Sequence, residues 1–321
     1  MVRKTRLNLP FTGIASFCKS PICEDWEQLD TDVAILGVPF DMSTQVKPGT
    51  RYGPRGIRDA SVLYSLHGSG YYDHEFDAYF LEGVRIVDCG DVDIIHMDPQ
   101  RSLNNAYEDA CELLRKDLLL VVLGGDHAVP IPIVRAFKDK GPLHVVQFDA
   151  HLDFVDERFG VREAHGSPMR RISEMPHVSG ITQIGIRGIG SSSRQDFQDA
   201  RAYGSDIIGP REFRRLSPDQ VADRLPRDAN FYVTIDCDVL DPALAPGNGS
   251  PSPGGLSFYE LTDTLRSIAA RGPVLGFDFC EVAPMYDLTG VTCQVAAQVV
   301  LDFTGAIFSE RKKRAALNAQ G

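Results

Sequence analysis

Asp149, His151 and Asp153 stand at every second position directly after a short apolar run, Leu143 to Phe148. In extended chain alternate side chains share a face, so this spacing carries two carboxylates and an imidazole to one point at a strand's end. Leaving such charge unpaired beside an apolar core costs on the order of several kcal/mol, and a divalent metal ion is the simplest remedy. The pattern recurs. LLLVVL, Leu118 to Leu123, ends in Gly124-Gly125-Asp126-His127; FYVTID, Phe231 to Asp236, runs into Cys237-Asp238; a further run, Pro273 to Phe279, ends near Glu281. His127, Asp149, His151, Asp153, Asp236 and Asp238 are thus four carboxylates and two imidazoles at the ends of separate apolar strands. One ion uses so many groups poorly. Two ions sharing bridging carboxylates, roughly 3.5–4 Å apart, use them well and activate a water between them. The oxygen-rich set favours Mn2+, with Ni2+ or Co2+ as alternatives on affinity order. His165, in AHGSPMRR, is of the type that moves protons near neutral pH. Glu281 adds an uncoordinated carboxylate suited to a planar cation. Asp126 and Asp278 read as structural.

The elements that position these groups alternate. Strands are predicted at Asp32 to Phe40, Val84 to Asp88, Leu118 to Leu123, Leu143 to Phe148, Ile181 to Arg187, Phe231 to Asp236 and Pro273 to Phe279. Helices are predicted at Leu103 to Leu118, Pro130 to Lys138, Arg194 to Tyr203 and Val291 to Phe308, with capping boxes opening others at Ser217 and Ser257. The tail from Arg311 reads as frayed. The turn-rich GTRYGPRGIR after Gly49 reads either as a rim of the site or as a structural turn. Strands that are continuous apolar runs, alternating with helices, mean an α/β protein with a parallel sheet covered on both faces. Ligands bind outside the carboxyl ends of such strands, where the polar clusters fall. Residues 1–31 read as an N-terminal arm and 32–321 as a single domain.

Bulk properties narrow the partners. The chain has 321 residues, 43% hydrophobic and 24% charged, and a formal net charge of −11, which argues against nucleic acid or an anionic membrane. No window is expected to reach the length of a transmembrane helix, and a cytoplasmic location is expected. Seven scattered cysteines without CxxC spacing argue against a zinc knuckle or disulfide framework; Cys89, Cys237 and Cys280 read as core thiols.

These motifs together resemble the ureohydrolases, the arginase–agmatinase family of binuclear metal amidinohydrolases. The matching stretches are GGDH at Gly124 to His127, DAHLD at Asp149 to Asp153, DCDVLDP at Asp236 to Pro242 and EVAP at Glu281 to Pro284, with GTRYGP, HGSP and APGNGSPSPGGL also familial in look. The resemblance implies an eight-stranded parallel sheet in three α/β/α layers, two manganese ions, and trimers or hexamers. One ion would take His127, Asp149, Asp153 and Asp236; the other His151, Asp149, Asp236 and Asp238, with Asp149 and Asp236 bridging. Glu281 would hold the guanidinium, Asp153 would pass a proton to the leaving amine, and His165 would shuttle protons, giving urea and an amine.

The substrate is less determined. Between Asp153 and His165 the chain reads FVDERFGVREA, without the small polar residues that arginases resembling this fold use for free arginine. Asp156 and Glu157 suit the distal amine of agmatine; Arg158 or Arg162 suits the carboxylate of a guanidino acid such as 4-guanidinobutyrate or 3-guanidinopropionate. Agmatine leads narrowly, with a small alkylguanidine as a further alternative. A single-zinc deacetylase-like amide hydrolase and a non-catalytic subunit working with a homologous partner are the distant readings; both need fewer ligands than are present.

Overall fold

The apolar runs become neighbouring strands. The computed structural model describes residues 9–64 and 69–319. Its strands are β1 (Val33–Gly37), β2 (Tyr71–Asp73), β3 (Ala78–Phe80), β4 (Ile86–Asp91), β5 (Leu119–Leu123), β6 (Leu143–Phe148), β7 (Val178–Ile184), β8 (Asp206–Ile208), β9 (Asn230–Asp236) and β10 (Val274–Cys280). Eight of them form one parallel sheet in the order β4-β1-β5-β10-β9-β6-β7-β8, and β2 pairs with β3 as a separate antiparallel hairpin. The eight-stranded parallel sheet is the one expected.

Nine helices flank it among the described residues: α1 (Gly53–Ser61), α2 (Pro99–Leu113), α3 (Pro130–Ala136), α4 (Pro168–Ser173), α5 (Arg194–Tyr203), α6 (Pro210–Phe213), α7 (Pro218–Ala222), α8 (Phe258–Arg271) and α9 (Val291–Asn318). One core layer packs Ile57, Val221, Leu265 and Phe303, from α1, α7, α8 and α9, on one face of the sheet. The other packs Leu103, Ile133, Met169 and Ala200, from α2 to α5, on the opposite face. Both predicted capping boxes form, Ser217 with Gln220 and Ser257 with Glu260.

Three expectations need correction. Helix α2 starts at Pro99 rather than Leu103 because Asp98 caps it, accepting from Arg101 N at 3.0 Å, with proline in its first turn. The tail is not frayed at Arg311. Helix α9 continues to Asn318, held by Arg311 donating to Val274 O (3.2 Å) and Arg314 to Ala269 O (2.7 Å). And α9 is, by length and composition, long and apolar enough to cross a membrane; most of its apolar stretch is nevertheless buried inside the fold.

The N-terminal segment is stitched on. Phe17 is buried, and its N–H donates to Asp88 Oδ2 at 2.8 Å; Cys18 N–H donates to Ser61 Oγ at 2.8 Å. Residues 1–8 of the expected arm lie outside the described residues.

What positions the site is the register. Leu123 of β5 sits opposite Phe279 of β10, Phe279 opposite Ile235 of β9, and Ile235 opposite Phe148 of β6. Four adjacent strands therefore end level. The residues that follow each emerge at one height along one edge. Consecutive strands β5 and β6 lie on either side of β10 and β9, so the loops leaving them diverge and open a crevice over the sheet edge.

Candidate metal centre

Each of those strand ends delivers a residue to the crevice. After β5 the chain passes flat against Phe40: a Cβ on Gly125 would lie 1.8 Å from the Phe40 carbonyl oxygen, and Asp126 N–H donates to that oxygen at 2.6 Å. Only glycine permits that approach. His127 is thereby placed with its Nδ1 2.9 Å from Asp149 Oδ2, 2.9 Å from Asp153 Oδ2 and 3.4 Å from Asp236 Oδ2. His151 Nδ1 lies 3.0 Å from Asp238 Oδ2 and 3.6 Å from Asp149 Oδ1. The donor atoms form two groups, His127–Asp149–Asp236 and Asp149–His151–Asp238, which meet at Asp149. All six residues predicted from the sequence converge.

Asp236 Oδ1 accepts from Asp238 N–H at 2.8 Å and caps the short turn Cys237–Val239, while its Oδ2 faces His127 Nδ1 at 3.4 Å.

The charges explain why the cluster needs cations. Asp149, Asp153, Asp236 and Asp238 are all buried. Burial and the neighbouring carboxylates push Asp236 and Asp238 up, and Asp153 up to about 7. Burial also acts to raise Asp149, but its contacts with His127 and His151 outweigh it and hold the group well below the usual range. Burial acts to lower both imidazoles, yet the carboxylates around them prevail: His127 is raised well above its ordinary value and His151 is pushed up to about 12. Protons are thus the counter-ions of the bare protein. Two divalent ions would supply more positive charge to the same oxygen atoms and leave both imidazoles neutral as ligands, so the donor set fits a metal pair.

The family model described as Arginase family matches residues 31–305. The chain belongs to the arginase family. Proclavaminate amidinohydrolase of Streptomyces clavuligerus is 35% identical, covering 90% of this chain and 91% of that protein. Its solved structure aligns with a TM-score of 0.83, covering 94% of this chain and 99% of that one. Guanidinobutyrase of Pseudomonas aeruginosa is 32% identical (91% and 92% covered), and agmatinase of Bacillus cereus is 35% identical (84% and 90% covered). Arginase-family enzymes are binuclear metal-dependent hydrolases of guanidino C–N bonds, and the ureohydrolase fold read from the motifs is the one found.

Around this arginase-family centre lies a set of partners that sequence reasoning missed. Tyr232 O–H and Thr234 O–H donate to Asp278, at 2.6 and 2.7 Å. With its proton committed to Asp278, Thr234 Oγ1 can only accept from His127 Nε2–H, 2.9 Å away. That fixes the tautomer and leaves Nδ1 for the ion. Asp278, read as structural, therefore acts on a ligand through Thr234. Gln183 donates to Gln147 Oε1 (2.6 Å), and Gln147 donates to Asp149 Oδ2 (2.6 Å). A signal existed: Gln147 extends the alternation of Asp149, His151 and Asp153 backwards by one step. Arg187 donates to the carbonyls of Asp238 (2.6 Å) and Ser252 (2.7 Å), tying the ligand turn to the next loop.

Glu281 and His165 also reach the centre. Glu281 Oε1 accepts from His127 N–H at 2.9 Å and lies 3.6 Å from His165 Nδ1. His165 N–H donates to Ser43 Oγ (2.9 Å), and Ser43 donates to Asp126 Oδ2 (2.7 Å), so Asp126 anchors the histidine's loop. Burial acts to lower His165, but Glu281, Asp126 and Asp153 raise it to about 9. Asp153 and Glu281 both adopt left-handed backbone, φ +52° and +64°. Neither is glycine, so each holds a conformation costing on the order of 1 kcal/mol to aim its carboxylate inward.

The mouth sorts the remaining sequence candidates. A cleft of about 290 Å³ opens from His151, Asp153, His165, Asp236, Asp238 and Glu281 outward to Gln45, Val46, Arg158, Ile189 and Ser191. Asp156 does not line it; its carboxylate is taken by Arg171 (2.5 Å) and Arg162 (3.1 Å). Glu157 is exposed and also absent from the lining. Asn248 is buried, donating to Ala245 O, while Ser250 beyond it reaches the cleft. GTRYGP supplies the short turn Thr50–Tyr52 and the first two residues of α1, and a Cβ on Gly53 would lie 2.7 Å from Val282 O.

Proposed function

We propose that this chain hydrolyses a linear guanidino compound to urea and an amine at a pair of divalent ions held by His127, Asp149, His151, Asp153, Asp236 and Asp238, with Asp153, His165 and Glu281 acting on the substrate. The observation that carries this reading is the meeting of two carboxylate–imidazole groups at Asp149, beneath a cleft into which the uncoordinated Glu281 also faces. A single-ion amide hydrolase has no use for the second group.

The ions supply, when bound, a water activated at neutral pH. The chain's own residues do the rest. Glu281, fixed by His127 N–H, offers a carboxylate to the planar guanidinium and orients its carbon over the ligand cluster. Asp153 stands beside His127 at the floor, placed to hand a proton to the departing amine. His165, partly exposed and 3.6 Å from Glu281, connects the floor with solvent as a proton carrier. The oxygen-rich donor set supports Mn2+ over softer ions. Family membership supports a homo-oligomer, trimer or hexamer, which light scattering on the purified protein tests.

Relatives named agmatinase and guanidinobutyrase bracket the tail of the substrate, one an amine and the other a carboxylate. Asp156 and Glu157, the residues the sequence offered for the distal amine of agmatine, do not line the cleft.

The test is urea release after loading with Mn2+, Ni2+ or Co2+, alongside a metal count. Near two ions per chain and turnover of a guanidino compound are expected, and Asp149→Asn abolishes both the turnover and the full metal count. Two ions bound with no urea from any linear guanidino compound would overturn the assigned reaction. No ion bound would overturn the centre.

A further inference from the structure

The outer end of the cleft carries a fixed positive charge. Among the residues lining it, Arg158 is the one Lys or Arg side chain. Its guanidinium donates to Gln45 Oε1 at 3.0 Å and to the Ser191 carbonyl at 2.8 Å, both neutral acceptors. Its neighbours in the chain are treated differently. Arg162 lies 3.1 Å from Asp156 and 3.2 Å from Glu174, and Arg170 and Arg171 pair with the same acids or with Asp199. Asp156 is thereby neutralised outside the cleft, and the segment's cationic character is what the cleft receives.

The backbone holds Arg158 in place. Arg158 and Val161 exchange both backbone hydrogen bonds, 2.9 and 3.0 Å, across a tight turn whose Phe159 and Gly160 have φ of +55° and +82°. Such a two-residue turn fixes where its first flanking side chain projects. Beside Arg158 the mouth also carries Val46 and Ile189, both exposed and apolar. An acidic pole at Glu281 and a basic pole at Arg158, in one cleft with apolar groups at its mouth, form a complementary template for a zwitterion with a guanidinium head, a methylene stem and an anionic tail.

We infer that Arg158 is a specificity-determining residue that receives the carboxylate of an ω-guanidino acid, and that the cleft discriminates against agmatine by charge. This rests on the proposed hydrolase reading for its chemistry, but the charge preference is separable from it. A planar guanidinium with two neutral tethers retains unused N–H donors for a carboxylate, whereas the ammonium of agmatine meets like charge there.

The experiment uses the metal-loaded full chain and three compounds with matched heads: 4-guanidinobutyrate, butylguanidine and agmatine. Urea release and calorimetric binding are measured for each. The expected kcat/KM order is acid, then neutral, then amine. Arg158→Gln lowers the acid-to-butylguanidine ratio roughly 10–100-fold, chiefly in KM, as loss of a charge-assisted site should. Arg158→Glu moves the acid-to-agmatine ratio further in the same direction. A wild-type preference for agmatine or butylguanidine overturns the inference. So does a loss in Arg158→Gln that is equal for all three compounds. Arg158-dependent binding of the acid without any urea sustains the inference and overturns the hydrolase reading; absence of binding by all three overturns both.

Discussion

At the scale of residues, the centre depends on groups that never touch an ion. Thr234 Oγ1 accepts from His127 Nε2–H and donates its own O–H to Asp278, so it sets which imidazole nitrogen is free. Thr234→Val keeps the shape and removes both links. Metal affinity is expected to fall about 10–100-fold, the usual range for losing such a partner, as read by competition against a chelator; unchanged affinity would show that the tautomer is set elsewhere. His144 offers a test away from the centre. Its ring lies buried, with Nε2 3.0 Å from Thr182 Oγ1, and burial lowers its pKa to about 4. The unfolded chain takes up this proton near pH 6.5 and the folded one only near 4. Stability from this group is therefore complete above pH 6.5 and lost as pH falls toward 4, by roughly 3 kcal/mol. His144→Gln should flatten the slope of denaturant stability across that window. The ligands themselves were legible in the sequence because each follows directly on an apolar run, although the chain leaves β6 at Phe148 and brings Asp153 in through left-handed backbone rather than through strand alternation. Thr234, Asp278 and Ser43 were not, because each acts across strands or loops, where register and not spacing decides who meets whom.

At the scale of elements, the long buried strands declared themselves by continuous apolar runs, and the helices with capping boxes by their first turns. Strand β8 and the β2–β3 hairpin have three-residue strands, too short to show a period, and escaped notice. So did α4 and α6, of six and four residues. The packing of the N-terminal segment was equally hidden, since it depends on one buried carboxylate. Asp88 on β4 binds Arg58 of α1 through both oxygens, at 2.8 and 2.9 Å, and also accepts from Phe17 N–H. This joins a strand, a helix and the chain before β1 at one point. Asp88→Ala removes two hydrogen bonds from the buried Arg58 guanidinium and leaves it Asp91 (2.5 Å) and the Gly90 carbonyl (2.8 Å). A loss of about 1–3 kcal/mol is expected in urea denaturation, with new protease cleavage before residue 31. Cleavage unchanged at equal global stability would show that the segment is held by its apolar contacts alone.

At the scale of the whole molecule, the centre couples binding to stability. Four buried carboxylates repel in the bare protein and depend on two protonated imidazoles. Metal binding must expel those protons, so calorimetry in buffers of different ionisation enthalpy should show proton release, and affinity should fall as pH is lowered. An ion at a thousand times its dissociation constant adds about 4 kcal/mol to stability. Stripping it with a chelator is therefore expected to lower the melting temperature by roughly 6 °C. No shift on stripping would mean that the floor is already satisfied without metal.

The level ending of β5, β10, β9 and β6 has a last consequence. It builds the floor from a rigid sheet, while Arg158, Val46 and Ile189 stand on loops that leave the sheet and return. The ligands at the strand ends and the proposed receiver of the substrate's tail thus stand on different material, although the turn around Phe159 shares its loop with Asp153 and His165. A descendant of this gene can exchange that turn while inheriting His127, Asp149, Asp236 and Asp238 at the sheet edge unaltered. The same division lets new diets arise by small local edits, without passing through an ancestor that cannot fold.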